Sequence, residues 1–199
     1  MKVLLTGANR PLGALAATRL SDVHHLRLTG SAPALEGTLA AMDYRAADLR
    51  VPEEAVPLIE GMDAVVHLDP YDPAPITGAD AEQERLDVAA RGTYVFLQAA
   101  SQGGIARVVV GSTMALFDSY PDDYVIEETW QPQPDAQAES LAPMMSEFSA
   151  REFARQGKLS IVCLRFGALS GTEGTTEDNA VGALAEALTM EFEQPGYLW

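Results

Sequence analysis

The chain has 199 residues, 47% hydrophobic and 21% charged, a usage that excludes a disordered polymer. Folded as one unit, such a length buries roughly two-thirds to three-quarters of its unfolded surface, so residues 1–199 are expected to form a single domain. The formal net charge of −16 argues against nucleic-acid binding, and the lack of an apolar run near the ~20 residues of a membrane span, or of a basic leader, makes a cytoplasmic location the expectation.

Strand-like and helix-like segments then alternate along the chain. Residues 2–6 read as a strand, a turn at Thr6-Gly7-Ala8 follows, and an Ala/Leu-rich helix is expected at 12–20. Further strands are expected at 26–29, 44–47, 64–68, 107–111, 160–165 and 197–199, with helices at 52–60, 81–102, 142–156 and 179–191. Most of the strands are apolar on both faces, as parallel strands covered by helices must be. Strand followed by helix, repeated, predicts an α/β fold with a doubly wound parallel sheet of Rossmann type. Gly103-Gly104 supplies a stop for the long middle helix, and the acidic stretch 118–139, with Pro121, Pro132 and Pro134, reads as a surface excursion.

The first strand, turn and helix form the layout of an anion site. Gly7 permits a tight turn, Gly13 lets the helix press on its strand, and the helix N-terminus directs unpaired N–H groups at a phosphate. The other candidate chemistry is sparse. Cys163 is the only cysteine, which excludes an internal disulfide and a cysteine-rich metal site, and between Ile161, Val162 and Leu164 it reads as inert core. His24, His25 and His67 do not suggest a metal site, and Glu147, Glu152 and Asp87 read as helix-surface carboxylates.

Several fragments together carry a family resemblance. They are Thr6-Gly7-Ala8 through Gly13, Ala47-Asp48-Leu49, the run from Gly61 to Leu68, Arg91-Gly92-Thr93 with Leu97 to Ala100, Arg107 to Thr113, and Cys163 to Gly167. In this order and spacing the chain resembles the short-chain dehydrogenase/reductase superfamily, above all its extended epimerase/dehydratase-like branch. The resemblance implies an NAD(P)-binding oxidoreductase. It assigns the pyrophosphate to the turn from Gly7 to Gly13, including Asn9, Arg10 and Leu12, the adenine amine to Asp48, and the adenosine flanks to Leu49 and Leu68. It also makes Thr113 the residue that binds the substrate oxygen, and a small carbonyl compound or a sugar nucleotide the substrate class.

Three departures qualify what the resemblance implies. Arg10 and Pro11 stand where the family has a further glycine; Pro11 has no N–H to offer, while Arg10 can grip a 2′-phosphate in a bidentate fork. The second strand leads into Gly30-Ser31 with no acidic residue to meet ribose hydroxyls, so NADP is favoured over NAD. Counting back from Arg151-Glu152 puts Met144 and Phe148 where the family has its proton-transferring tyrosine and lysine, an apolar pair four residues apart.

Tyr120 and Tyr124 are the candidate substitutes, and Lys158 is the only lysine besides Lys2. Only 28 residues follow Gly171, so little or no C-terminal substrate lobe is expected. The alternative to an enzyme of impaired or altered catalysis is a non-enzymatic cofactor-sensing or interaction protein. The resemblance also implies a homodimer through the helices at 81–102 and 142–156, with Val95, Leu97, Met145 and Phe148 as its apolar positions. Trp130 and Trp199 are read as core or contact residues.

Overall fold

The computed structural model describes residues 1–71, 77–169, 174–191 and 196–198. These form a seven-stranded sheet in the order β3-β2-β1-β4-β5-β6-β7. The strands are β1 (Lys2–Thr6), β2 (His25–Gly30), β3 (Asp43–Ala46), β4 (Ala64–His67), β5 (Arg107–Thr113), β6 (Ser160–Phe166) and β7 (Tyr197–Leu198). Every neighbouring pair is parallel. The helices are α1 (Pro11–Leu20), α2 (Pro52–Ile59), α3 (Ala79–Asp87), α4 (Thr93–Gln102), α5 (Ala138–Arg155) and α6 (Glu177–Thr189). Among the described residues none of them is long and apolar enough to cross a membrane.

Alternation along each inner strand divides its side chains between two cores. Val3 and Leu5 of β1, with Val66 and Val109, pack under α1 and α6 against Leu12, Ala16, Leu184 and Leu188. Leu4, Val65, Val108 and Ile161 point to the opposite face, where Leu58 of α2, Phe96 of α4 and Phe153 of α5 cover them. That two-sided burial is why these strands read as unbroken apolar runs. β3 departs from the pattern: it is an edge strand with Asp43, Arg45 and Ala46 exposed, and it lies one residue earlier than its sequence suggests. An edge strand has one free side, so charged residues there cost little.

The predicted helix at 81–102 is continuous but not uniform. A π-helical turn at Val88–Gly92 joins α3 to α4, and it sets Thr93 facing the sheet. α4 stops where expected, with Gly104 at φ 76° and the Gly103 N–H bonded to the Ala99 carbonyl at 2.8 Å. α5 begins four residues before its predicted start. Asp135 there accepts from the Gln137 N–H at 3.0 Å and from the Ser140 hydroxyl, which orders the first turn. Trp199 and Gly171 lie outside the described residues. Cys163 is buried in β6 as expected, and burial pushes its thiol above the ordinary range, which leaves no reactive thiolate.

A buried polar chain ties the middle of the sheet to α5. The fully enclosed His67 is 2.9 Å through Nδ1 from the Thr6 hydroxyl and 3.2 Å through Nε2 from the Thr93 hydroxyl, and Thr93 donates on to Ser146 at 3.3 Å. The imidazole also stacks on Phe96 at 4.7 Å. Burial holds its pKa down at about 3 against an ordinary 6.5. The folded state therefore refuses a proton that the unfolded chain accepts. The stability that this neutral imidazole contributes is complete above pH 6.5 and is lost as pH falls from there towards 3. Urea unfolding between pH 6.5 and 5 is expected to lose about 1.4 kcal/mol per pH unit through this group. The slope should flatten by that amount in His67→Asn.

Candidate functional site

The sheet reverses its winding between β1 and β4, and the crevice at the carboxyl ends of these strands is where an α/β sheet takes ligands. The turn after β1 is built there from backbone contacts. Gly7 has φ 71°, and a Cβ on it would lie 3.0 Å from the Asp69 nitrogen. A Cβ on Gly13 would lie 2.0 Å from the Gly7 carbonyl oxygen, so α1 packs on β1 at a distance that only glycine allows. Thr6 holds the crevice from below, its hydroxyl accepting from the Leu68 and Asp69 N–H groups at 3.1 Å each.

Of the first amides of α1, Pro11 has none and Ala14 donates to the Arg10 carbonyl at 2.8 Å, which leaves those of Leu12 and Gly13 to meet an anion. Leu12 itself is buried, so its contribution is its N–H. The cradle thus fits a diphosphate, with Arg10 as the nearby guanidinium. That side chain pairs with Asp69, its Nε 3.9 Å from the carboxylate. The second-strand end is formed as its sequence suggests. Asn9 lies over Gly30, where a Cβ would stand 1.9 Å from its Oδ1, and it reaches the Ser31 hydroxyl at 3.5 Å.

The three residues assigned to the adenosine are each held within the fold. Arg50 clamps both oxygens of Asp48 at 2.7 to 3.0 Å and adds its own N–H at 2.9 Å, which holds the Asp48 carboxyl below its ordinary value. An adenine amine would share that carboxylate with Arg50. Leu49 and Leu68 have buried side chains that belong to the two cores, Leu68 pressing on Gly111, so each offers a nucleotide chiefly its backbone. Leu68 directly follows the inner strand β4, and Leu49 lies in the loop that leads from β3 to α2, so core packing claims both.

Thr113 ends β5 beside a cavity of about 460 Å³ lined also by Tyr71, Arg85, Asp118, Glu139, Pro143 and Gly167. Its hydroxyl accepts from the Ala115 N–H at 3.1 Å, which fixes the side chain and leaves its proton to donate. The wall contributed by α5 is Glu139 and Pro143, not Met144. Met144 and Phe148 line a separate surface cavity with Trp130, Glu147 and Arg151, and Phe148 is 53% exposed. Pro143 and Met144 are neighbours in sequence, and the turn of about 100° per helical residue directs them to different cavities. The residues that α5 brings to the Thr113 cavity, Glu139 and Pro143, include neither a tyrosine nor a lysine.

Glu147 corrects another expectation, because it is not a surface carboxylate. It is 1% exposed and forms a bidentate pair with Arg165 of β6 at 2.8 and 2.9 Å. Glu152 and Asp87 are on the helix surface, Glu152 paired with Arg155 at 2.7 Å. Tyr120 and Tyr124 do not reach the Thr113 cavity. Tyr120 donates to the Gln131 carbonyl at 2.9 Å and packs on Trp130, as does Tyr124. Lys158 stands over Phe153 at 5.7 Å, away from the site.

The phenol in the Thr113 cavity is Tyr71, which the sequence reading passed over. It is 5% exposed, meets Phe166 edge to face at 5.6 Å, and burial pushes its pKa up, so it holds its proton and can donate it. A lone tyrosine four residues beyond the end of β4 was the available signal.

The model of the NAD dependent epimerase/dehydratase family matches residues 3–196, and the chain belongs to that family. NAD(P) binding is the property this membership carries. No protein of curated function matches it in sequence. Among solved structures it is similar to uronate dehydrogenase from Agrobacterium tumefaciens, at 20% identity and a TM-score of 0.82, covering 100% of this chain and 75% of that one. It is also similar to MoeE5 in complex with UDP-glucuronic acid and NAD, at 22% identity and TM-score 0.78, covering 100% and 75%. A short-chain dehydrogenase/reductase superfamily protein from Agrobacterium tumefaciens with bound NAD matches at 23% identity and TM-score 0.69, covering 83% and 48%. At these identities the likeness establishes the fold, and the chain spans between about half and three-quarters of those proteins.

Two substitutions test the site's construction. Gly13→Ala must force α1 off the Gly7 carbonyl, and a loss of about 1–3 kcal/mol in urea unfolding is expected together with weaker dinucleotide binding. Glu147→Gln leaves the Arg165 guanidinium buried without its counter-charge, and the same measurement should register a loss of about 3–5 kcal/mol.

Proposed function

We propose that residues 1–199 form one dinucleotide-binding domain that takes NADP in preference to NAD and presents it to a small carbonyl compound or sugar nucleotide beside Thr113. The observation that carries this reading is the backbone cradle of Gly7 and Gly13 at the switch point of the sheet. The preference for NADP rests on the end of β2, where Gly30 and Ser31 bring no carboxylate against a 2′-phosphate. Uronate dehydrogenases and the MoeE5 complex with UDP-glucuronic acid, as structural neighbours, put sugar acids and nucleotide sugars among the substrates to try. A cytoplasmic location and a homodimer belong to the same reading. Exposed Tyr94 of α4 and Met145 and Phe148 of α5 support the dimer, whereas Leu97 is core and takes no part.

A bound nicotinamide would supply or accept a hydride. Thr113 would donate its hydroxyl proton as a hydrogen bond to the substrate oxygen, and the buried Tyr71 phenol is the second donor in the cavity. With Glu139 and Pro143 as the α5 residues of the cavity, no lysine from that helix stands there to lower a phenol's pKa, so turnover is expected to fall about 10²- to 10⁴-fold below that of a site with a positioned proton-transfer group. That substitution also favours the second reading, a cofactor-sensing protein without turnover.

Fluorescence titration with NADPH and NADH tests the platform, and NADPH is expected to bind more tightly than NADH, with the difference reduced in Arg10→Ala. Assays against aldehydes, ketones, uronates and sugar nucleotides then separate the readings. Turnover abolished in Thr113→Ala supports the enzyme, binding without turnover supports the sensor, and binding of neither cofactor overturns both.

A further inference from the structure

At the mouth of the glycine cradle the chain places a carboxylate where a bound diphosphate needs room and positive charge. Asp69 follows β4 at the switch point, and its backbone is locked into the cradle by the Thr6 hydroxyl and by close packing on Gly7. The side chain therefore cannot move far from the turn that carries Arg10. It is only 12% exposed, and its Oδ1 lies 3.9 Å from the Arg10 Nε.

We propose that Asp69 is a resident anion that competes with the cofactor's diphosphate for Arg10 and the α1 N-terminus, and so sets the affinity of the platform for dinucleotide. This rests on the dinucleotide-binding reading given above. A diphosphate entering the cradle meets like charge from Asp69 as long as that carboxylate is ionised. It also gains Arg10 only by drawing it from its present partner. Neutralising Asp69 removes both penalties.

The groups facing Asp69 divide evenly. Arg10, from the turn before α1, and Arg50, from the loop after β3, favour its charged form, while Asp48 of that loop and Glu84 of α3 oppose it. Tyr44 of β3 also lies within its field. Burial outweighs the two arginines and raises the Asp69 carboxyl above its ordinary value. The competing charge is thus complete at high pH and fades as pH falls, so affinity for a diphosphate should rise on acidification.

Calorimetric binding of NADH, and of ADP-ribose as a diphosphate probe without nicotinamide, tests the proposal on the wild type, Asp69→Asn, Arg10→Ala and the double variant. Asp69→Asn, close in shape to the native side chain, is expected to bind both probes about tenfold more tightly at pH 8, the scale of one nearby charge at a partly buried site. Wild-type affinity should climb towards that of Asp69→Asn as pH is lowered, and Arg10→Ala should weaken Asp69→Asn more than it weakens the wild type. Equal or weaker binding by Asp69→Asn, or additive effects of the two substitutions, would overturn the competition while leaving the platform intact. If neither the wild type nor Asp69→Asn binds either probe, the dinucleotide reading fails and this inference with it. Wild-type pH dependence alone decides the matter should Asp69→Asn not fold, and an affinity that does not rise as pH is lowered through the carboxylate range counts against it.

Discussion

The contact between the Gly13 Cα and the Gly7 carbonyl governs the geometry of everything above the sheet. A side chain as small as alanine at position 13 would meet that oxygen at 2.0 Å, so α1 can lie on β1 as it does only because two glycines face each other across the turn. This approach aims the N-terminus of α1 into the crevice beside β4 and brings Arg10 within range of Asp69. The Thr6 hydroxyl completes the arrangement from beneath by bonding two successive amides after β4 and the imidazole of His67. A few backbone contacts and one hydroxyl therefore link the candidate cofactor turn to a buried polar chain that reaches α5.

Charge in this protein works locally against the net balance. With a formal charge of −16, the molecule as a whole repels a dinucleotide, and long-range attraction cannot bring one in. Recognition must come from amides, the α1 dipole and the arginines near the cradle, two of which already hold carboxylates, Arg10 with Asp69 and Arg50 with Asp48 and Glu84. Each such pair lowers the cost of keeping a guanidinium ordered in a half-buried place. It also makes the arginine less available to a phosphate.

The cavity beside Thr113 has a different balance of chemistry from the cradle. Its α5 wall carries Glu139 and Pro143, and the next turn of the helix is tied to β6 by the buried pair of Glu147 with Arg165. Pro143 cannot donate to the carbonyl one turn back, and Glu147 takes its counter-charge from β6, so this face is built for rigidity and carries no basic side chain. The polar groups left around the cavity, Tyr71, Arg85, Thr113 and Asp118, come from the strand ends, the 3₁₀ turn after β5 and α3. Any ligand selectivity in that space arises from those loops, as is usual where a rigid sheet holds variable connections.

The order and type of nearly every element were legible in the residues, because a strand buried on both faces must be apolar at successive positions and a helix over it must be apolar every three to four. The same local logic located the turn at Gly7 and Gly13, since tight turning and close packing are demands that only glycine meets. What the linear pattern could not decide was the rotation of α5. Helical spacing alone does not show that Glu139 and Pro143 meet the Thr113 cavity, that Met144 and Phe148 meet another, or that Glu147 is buried. Nor could it pair Asp48 with Arg50, bring Asp69 to Arg10 or set Tyr71 beside Thr113. Those meetings depend on where separate strand ends arrive in space, and only the folded sheet brings them together.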